Sequence, residues 1–340
     1  MKNISLNLNA FPPLSLSPNL PIISITRASL SGIIPTLSAP KQRVEDVTLL
    51  IYTSGTSGKP KACAIRNFLL YVVSTPISND AENPAKYYPL RSYSALPLFH
   101  GTSFFGGATY AFGTSSTFCL SRKFSTNRFW KEVAESRATR VLYVGELCRY
   151  LLSAPPSPHD QNHSCIVATG NGLRGDIWDK FKTRFGIPEI REFYRSTEGL
   201  ARYDNYGSAA QGQGKIGFAG PLRRYLEKDT FIIKHDIEKS LPYRDPKTGF
   251  CVRARLGEPG EVIGRIKNRS LLTEYLNNVA ATEENIIRDV FVKGDSYQRM
   301  SDLMLIDAEG WVQFLDRGGE TYRWKGENVS AGEVRDHIAK

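Results

Sequence analysis

The stretch Thr48 to Ala64, T-L-L-I-Y-T-S-G-T-S-G-K-P-K-A-C-A, constrains this chain more than any other. Leu49, Leu50, Ile51 and Tyr52 have strand character and run into a loop of hydroxyls and glycines, Thr53, Ser54, Gly55, Thr56, Ser57 and Gly58, closed by Lys59, Pro60 and Lys61. Such a loop is built to cradle phosphate. Glycines let backbone N–H groups turn inward, hydroxyls add donors, and lysines balance the negative charge of a polyphosphate. The generic motif G-x-x-x-x-G-K-[ST] does not fit. Only two residues separate Gly55 from Gly58, and Pro60 stands where the Mg²⁺-binding hydroxyl would be, so a P-loop NTPase is poorly supported.

With 340 residues the chain can bury a large core and hold more than one domain or subdomain. Its charged and hydrophobic fractions, 23% and 41%, are those of an ordinary globular protein and exclude wholesale disorder. A net charge of +10 suits a polyanionic ligand such as ATP or CoA and equally allows peripheral association with an anionic membrane. No nucleic-acid partner is expected, because no zinc-finger spacing, arginine-rich tract or compact basic block accompanies the charge. Five scattered cysteines without C-x-x-C spacing read as free thiols in a reducing compartment. No H-x-x-x-H pair suggests zinc.

Residues 1–45 are expected to form a poorly ordered extension. Up to residue 44 there is no acid, while serine is abundant and Pro12, Pro13, Pro18, Pro21, Pro35 and Pro40 interrupt the pattern. That composition also shares features with an organellar transit peptide. Residues 46–211 read as an α/β core in which short apolar runs alternate with amphipathic stretches. Strands are predicted at Thr48–Tyr52, Tyr93–Leu96, Ser116–Leu120, Arg140–Val144 and Cys165–Ala168, and helices at Asn67–Ser74, Thr126–Arg137 and Asp176–Phe185. Phe129, Trp130, Val133 and Ala134 give the second helix its apolar face, with Ser125 or Thr126 as its N-cap. The uncharged run 101–120 reads as a buried helix and strand under the site, not a membrane span. Residues 212–316 read as a β-rich subdomain with strands at Thr230–Lys234, Glu261–Arg265, Leu303–Ile306 and Trp311–Leu315, the last two joined as a hairpin through Asp307–Gly310.

The order Thr53-Ser54-Gly55-Thr56-Ser57-Gly58 followed by Pro60-Lys61 resembles the T-S-G-[ST]-[ST]-G-x-P-K signature of the adenylate-forming (AMP-binding) superfamily. Four further stretches match that superfamily in the same order: Leu96–Gly101, Thr169–Arg174, Glu192–Gly199, and Gly294-Asp295 to Asp302 with Asp316-Arg317. The resemblance implies that His100 lies at the junction of the acyl and nucleotide pockets, and that Gly170, Asn171 and Gly172 form the adenine loop. It implies that Tyr194 stacks on adenine, Thr197 bonds a phosphate and Glu198 holds Mg²⁺. Asp302 would accept the ribose hydroxyls, Arg317 would place a charged fork near the ribose and α-phosphate, and Lys61 would serve the phosphates. Gly145–Leu152 and Thr321–Ser330 narrow the likeness to the fatty-acid transport protein and very-long-chain acyl-CoA synthetase branch.

That branch implies a partial adenylate-forming large domain, an α/β assembly of mixed sheets flanked by helices. A small β-barrel-like subdomain would follow, then residues 317–340 as a hinge near Gly318 and Gly319 and the start of a C-terminal domain. It implies the cofactors ATP, Mg²⁺ and CoA, a fatty or polyketide-type carboxylic acid as substrate, and CoA or another thiol as acceptor. An intracellular setting is implied, cytoplasmic or peripheral on a peroxisomal or endoplasmic-reticulum membrane. The sequence departs from the pattern at Arg195, where a long cation would enter the pocket wall in place of a small residue. It departs again at Met300-Ser301-Asp302, which replaces T-G-D, and at its ends, since Lys340 does not take the role of the C-terminal domain's lysine. Two readings follow. One is an acyl-CoA synthetase; the other is a non-catalytic remnant that binds nucleotide or acyl chains, or a lipid-uptake partner subunit.

Overall fold

The structure is a computed structural model that describes residues 41–53, 61–74, 90–206, 210–236, 238–239, 241–317, 321–324, 327–330, 334 and 338. The extension expected over 1–45 therefore lies outside the described residues except for its last five, as do Ser54–Pro60 and the glycines of the expected hinge.

In chain order, β1 (Val47–Thr53) pairs antiparallel with β2 (Lys61–Arg66), and α1 (Asn67–Ser74) follows. Next come β3 (Arg91–Ser94), a helical run α2 (Gly101–Ser103, Phe104–Thr109 and Tyr110–Thr114), and β4 (Thr117–Leu120). Then α3 (Thr126–Glu135), β5 (Arg140–Val144), α4 (Gly145–Ser153), β6 (Val167–Asn171), α5 (Gly175–Phe185), β7 (Glu189–Tyr194) and β8 (Tyr203–Asn205) complete the first half. The strands β3 to β8 form one six-stranded sheet in the order β4-β3-β5-β6-β7-β8, parallel except for the edge strand β8.

Alternation of side chains across the pleat decides where the core lies. Tyr93, Val141, Tyr143, Ala168 and Ile190 point to one face, where Phe129, Trp130 and Val133 of α3, Leu147 and Leu151 of α4, and Ile177 and Phe181 of α5 cover them. Each fully buried aromatic or aliphatic side chain there contributes about 1.5–3 kcal/mol. The expected cap of α3 is a backbone one. Ser125 adopts the extended N-cap conformation, but its side chain makes no capping hydrogen bond. The run 101–120 is a helix and a strand as expected, yet only partly buried. Phe104–Thr109 is wound as a π-helix, Gly107 lies so close to the Phe118 ring that a Cβ would clash, and Phe112 is 87% exposed.

The second half begins with β9 (Gly217–Phe218), α6 (Pro221–Leu226), β10 (Thr230–Asp236), β11 (Leu241–Pro242) and β12 (Gly260–Arg265). It continues with β13 (Glu274–Tyr275), α7 (Val279–Glu284), β14 (Ile286–Arg288), β15 (Ser296–Ile306), β16 (Trp311–Arg317) and a terminal hairpin of β17 (Thr321–Trp324) and β18 (Glu327–Ser330). Seven of these strands form an antiparallel sheet in the order β11-β10-β12-β15-β16-β9, with β14 on β15, and its path does not close among the described residues. The Asp307–Gly310 turn joins β15 to β16. Inside this sheet Glu261, fully buried, accepts a two-pronged contact from Arg299 (2.8 and 2.9 Å) and faces His235 Nδ1 at 3.1 Å. Burial alone would raise its carboxyl; His235 and Arg299 outweigh that and hold it below 4.5.

Two features tie the halves together. The two-residue strand β13 leaves its neighbours to add a third strand to β1 and β2, with Tyr275 opposite Cys63. In β15, residues Arg299 to Leu303 face only Ile263 to Glu261 of β12, so Met300, Ser301 and Asp302 bulge out of the ladder. Ser301 therefore sits in the left-handed region at φ 55°, where the superfamily pattern has glycine. All five cysteines are free, and no helix among the described residues is long and apolar enough to cross a membrane.

The left-handed serine gives a direct test. Ser301→Gly removes the Cβ clash and partly offsets that gain by loosening the unfolded chain, for a net gain of about 0.5–1 kcal/mol. The urea midpoint should rise with an unchanged slope.

Candidate active site

The six-stranded sheet reverses its winding between β3 and β5, the place where open α/β sheets leave a crevice beyond the carboxyl ends of their strands. The carboxyl ends of β3, β6 and β7, with the loops that follow them, carry His100, Gly170–Gly172 and Thr197-Glu198. Together these segments outline the candidate site.

At its centre is Glu192 of β7, 2% exposed. Its Oε2 accepts Gly172 N–H at 2.9 Å, and its Oε1 accepts Leu173 N–H at 2.9 Å and the Tyr143 hydroxyl at 2.5 Å. This one carboxyl shapes the Gly170–Leu173 loop. The loop needs its glycines for space as well. Gly170 lies against Tyr143 O, where a Cβ would come within 2.2 Å, and Gly172 has φ 83° while its carbonyl crowds Gly145. Burial pushes the Glu192 carboxyl up to about 8, against the pull of Tyr143 and the two backbone donors.

A second group lies where β2 meets β13. Tyr275 donates to Glu198 Oε1 at 3.0 Å, and Lys61 Nζ lies 5.2 Å from the centre of the Tyr275 ring. Thr53 faces Lys61 across the ladder. Behind them the fully buried Cys63 thiol contacts Thr53 Oγ1 at 3.9 Å; burial first, then the charge of Glu198, push it up to about 12. Gln298 of β15 holds the loop carrying Glu198, donating to Glu198 O and accepting from Leu200 N–H, both at 3.1 Å.

A third group joins the two halves. The Tyr194 hydroxyl bonds Asp302 Oδ2 at 2.5 Å, and both side chains are buried. The bulge in β15 is what delivers Asp302 there. Arg317 stands opposite Asp302 in the β15–β16 ladder. Met300 packs over Gly199, where a Cβ would meet its methyl at 2.0 Å. The expectation that Arg195 intrudes on the pocket wall is corrected. Its guanidinium lies along the strand edge, bonding Tyr194 O, Tyr203 O and both carboxylate oxygens of Asp204 at 2.7–3.0 Å. Asp204 of β8 captures it because the antiparallel register sets Asp204 opposite Phe193, two residues before Arg195.

His100 caps the start of α2, its Nδ1 accepting Thr102 N–H at 3.3 Å, and Thr102 Oγ1 donates to Asn171 Oδ1 at 3.3 Å. Desolvation lowers the His100 pKa below 6.5, so the ring is neutral at pH 7. Thr197 makes no hydrogen bond within the described residues. Ser54, Gly55, Thr56, Ser57 and Gly58 lie outside them.

No cluster of three His, Cys, Asp or Glu side chains is present among the described residues. Glu198 offers one carboxylate, with Oε1 engaged by Tyr275 and Oε2 accepting nothing from described residues. That fits Mg²⁺, which keeps several waters and takes one or two carboxylates together with substrate phosphates. Glu192, Tyr143, Gln298 and Tyr275 have roles that sequence reasoning did not assign. Glu192 alone carried a signal, as the acid that begins the matched Glu192–Gly199 stretch.

Known proteins resemble this chain in sequence and in fold. The sequence model of the family described as AMP-binding enzyme matches residues 17–227. The chain is 40% identical over 291 residues to long-chain fatty acid transport protein 2 of Rattus norvegicus, covering 85% of this chain and 45% of the relative. It is also 40% identical over 300 residues to isopenicillin N epimerase component 1 of Hapsidospora chrysogena, covering 86% and 49%. The chain thus spans about half the length of the curated relatives it matches. Among solved structures, ATP-bound MatB from Rhodopseudomonas palustris superposes with a TM-score of 0.66 at 20% identity, covering 92% of this chain and 56% of that one. O-succinylbenzoate coenzyme A synthetase from Bacillus subtilis, in complex with ATP and magnesium ion, gives 0.64 at 21%, covering 87% and 55%.

The buried carboxyl predicts a pH dependence. Glu192 has a folded-state pKa near 8 and an ordinary value of 4.5, so the folded chain holds the extra proton between those limits. Stability from this group therefore falls as pH rises through that window, by at most about 1.4 kcal/mol per unit. Glu192→Gln does not titrate; it turns an amide toward Gly172 N–H at a cost of about 1–3 kcal/mol. Urea unfolding at pH 5, 6.5 and 8 should show the wild-type advantage shrinking with pH. A constant difference would mean that the carboxyl is ionised throughout.

Proposed function

The chain belongs to the AMP-binding enzyme family, and from that premise we propose that it carries the nucleotide site of an ATP-dependent acid activation leading to an acyl-CoA thioester. The carrying observation is the convergence of the Glu192-clamped glycine loop, Glu198 and the Tyr194–Asp302 pair at one end of β6 and β7. In this reading an oxygen of the substrate carboxylate attacks the α-phosphorus of ATP, the bond to the β-phosphate oxygen breaks, and pyrophosphate leaves. The thiol of CoA then attacks the acyl carbonyl and AMP departs.

The residues divide the work as follows. The loop Gly170, Asn171 and Gly172 receives the flat adenine against backbone, and Tyr194 flanks it. Asp302 accepts the ribose hydroxyls, oriented by the Tyr194 hydroxyl, and Arg317 lies on the neighbouring strand to meet the α-phosphate side. The role assigned to Thr53, Ser54, Gly55, Thr56, Ser57, Gly58 and Lys61 is binding of the β- and γ-phosphates, to which Thr197 would add a hydroxyl. Glu198 would hold Mg²⁺, which when bound neutralises charge on the phosphates. Neutral His100, tied through Thr102 to Asn171, stands between the nucleotide loop and the uncharged α2 run that would face the acyl chain. Positioning and charge neutralisation are the main physical contributions.

The substrate class we propose is a fatty or polyketide-type carboxylic acid, supported by the names of the two relatives and by the apolar α2 segment. The net charge of +10 supports peripheral association with an anionic peroxisomal or endoplasmic-reticulum membrane. Acid-dependent exchange of labelled pyrophosphate into ATP tests the reading. Exchange is expected with medium to very long acids, and Glu198→Gln should lower it at least about 10²-fold. A folded, ATP-binding chain that supports no exchange with any acid would overturn it.

A further inference from the structure

Tyr275 is remote in sequence from both Glu198, 77 residues before it, and Lys61, earlier still, yet it touches both. We propose that Tyr275 is the positioning residue of Glu198, fixing which carboxylate oxygen is presented to the metal–nucleotide and tying that carboxylate to the Lys61 end of the phosphate hairpin. The inference rests on the nucleotide-site reading above.

Its backbone is held on every side. Tyr275 pairs with Cys63 in the β2–β13 ladder, and Leu276 N–H continues the pairing to Ala62 O at 2.8 Å. Tyr275 N–H reaches Thr282 Oγ1 at 3.0 Å on α7. At the other end Arg66 bonds Leu272 O and Glu274 Oε2, each at 3.0 Å. A two-residue strand has little rigidity of its own. These contacts supply it, so the phenol is aimed by the framework.

The side chain then meets opposite charges. Its hydroxyl donates to Glu198 Oε1, and its ring face carries the Lys61 ammonium. A carboxylate on an irregular loop can rotate about its last bond and offer a cation either oxygen or both. With Oε1 committed to the phenol, Oε2 is left as the single presented ligand. Gln298 restrains the same loop only through its backbone, so it cannot choose between the two oxygens. The ring, with Lys61 over it, sets the distance between the cationic and anionic ends of the site.

The test separates the hydroxyl from the ring. Tyr275→Phe keeps the packing and the Lys61 contact and removes only the O–H. Isothermal titration and electron paramagnetic resonance would measure Mn²⁺ binding to the chain in the presence of ATP, together with ATP binding in EDTA. The expected result is Mn²⁺ affinity lowered about tenfold, the scale on which outer partners of metal ligands act, with metal-free ATP affinity and melting temperature unchanged. In the Glu198→Gln background the same change should have no further effect, because its target is gone. Equal Mn²⁺ affinity in wild type and Tyr275→Phe would overturn the proposal, as would a full additive loss in the double variant, which marks a general structural role. A wild-type chain that binds ATP with no dependence on Mn²⁺ would overturn the nucleotide-site reading itself, and this inference with it. Should Tyr275→Phe melt early, Tyr275→Trp keeps a large ring and an N–H displaced from the phenol oxygen; Mn²⁺ affinity retained there overturns the proposal, and its loss supports it.

Discussion

A single buried carboxyl group organises the candidate site. Glu192 lies inside the parallel sheet, where an unpaired polar group is costly, and it satisfies itself with the N–H groups of Gly172 and Leu173 and the hydroxyl of Tyr143. Glu192 itself is on β7, and those partners come from β5 and from the loop after β6. The carboxyl therefore fixes a backbone shape across three neighbouring strands, and a flat ligand can approach because Gly170 and Gly172 leave no side chain in the way. Gly145, at the start of α4, belongs to the same arrangement, since the Gly172 carbonyl occupies the space its Cβ would need.

The second organising contact crosses between sheets. Tyr194 ends β7, and Asp302 is pushed out of β15 by a bulge, so their hydrogen bond joins the parallel sheet to the antiparallel one at the site. Gln298, on the same strand, steadies the loop that carries Glu198, and β13 brings Tyr275 to that glutamate from the other side. The antiparallel half is thus part of the candidate site's construction. Its own stiffness comes from the buried Glu261–Arg299–His235 group, which links β10, β12 and β15.

The residue types of the candidate site were legible in the sequence. The hydroxyl-rich glycine loop, the Thr197-Glu198 pair and Asp302 stand out because their residue types have few other uses in that order. Arg140–Val144 and Asn67–Ser74 were read to the residue, since alternation and helical periodicity are local properties. Arg195 was legible as an oddity but not in its consequence. Whether a long cation fills a pocket or lies along a strand edge depends on what faces it, and Asp204 does. The same holds for Ser301, whose departure from glycine was visible while its left-handed backbone was not.

The sequence by itself determined the chemistry on offer: a loop of hydroxyls and glycines flanked by lysines, acids and hydroxyls in a fixed order, and strand and helix periods that make an α/β core with a β-rich second half. These are properties of neighbouring residues and survive without a partner. Only the tertiary structure decided which groups meet. Glu192 reaches a loop about twenty positions away, Tyr275 reaches Glu198 across 77, and Tyr194 reaches Asp302 across 108. Contacts at such separations leave no periodic trace in the chain. They are chosen by strand register, by one bulge and by the requirement that buried polar groups find partners.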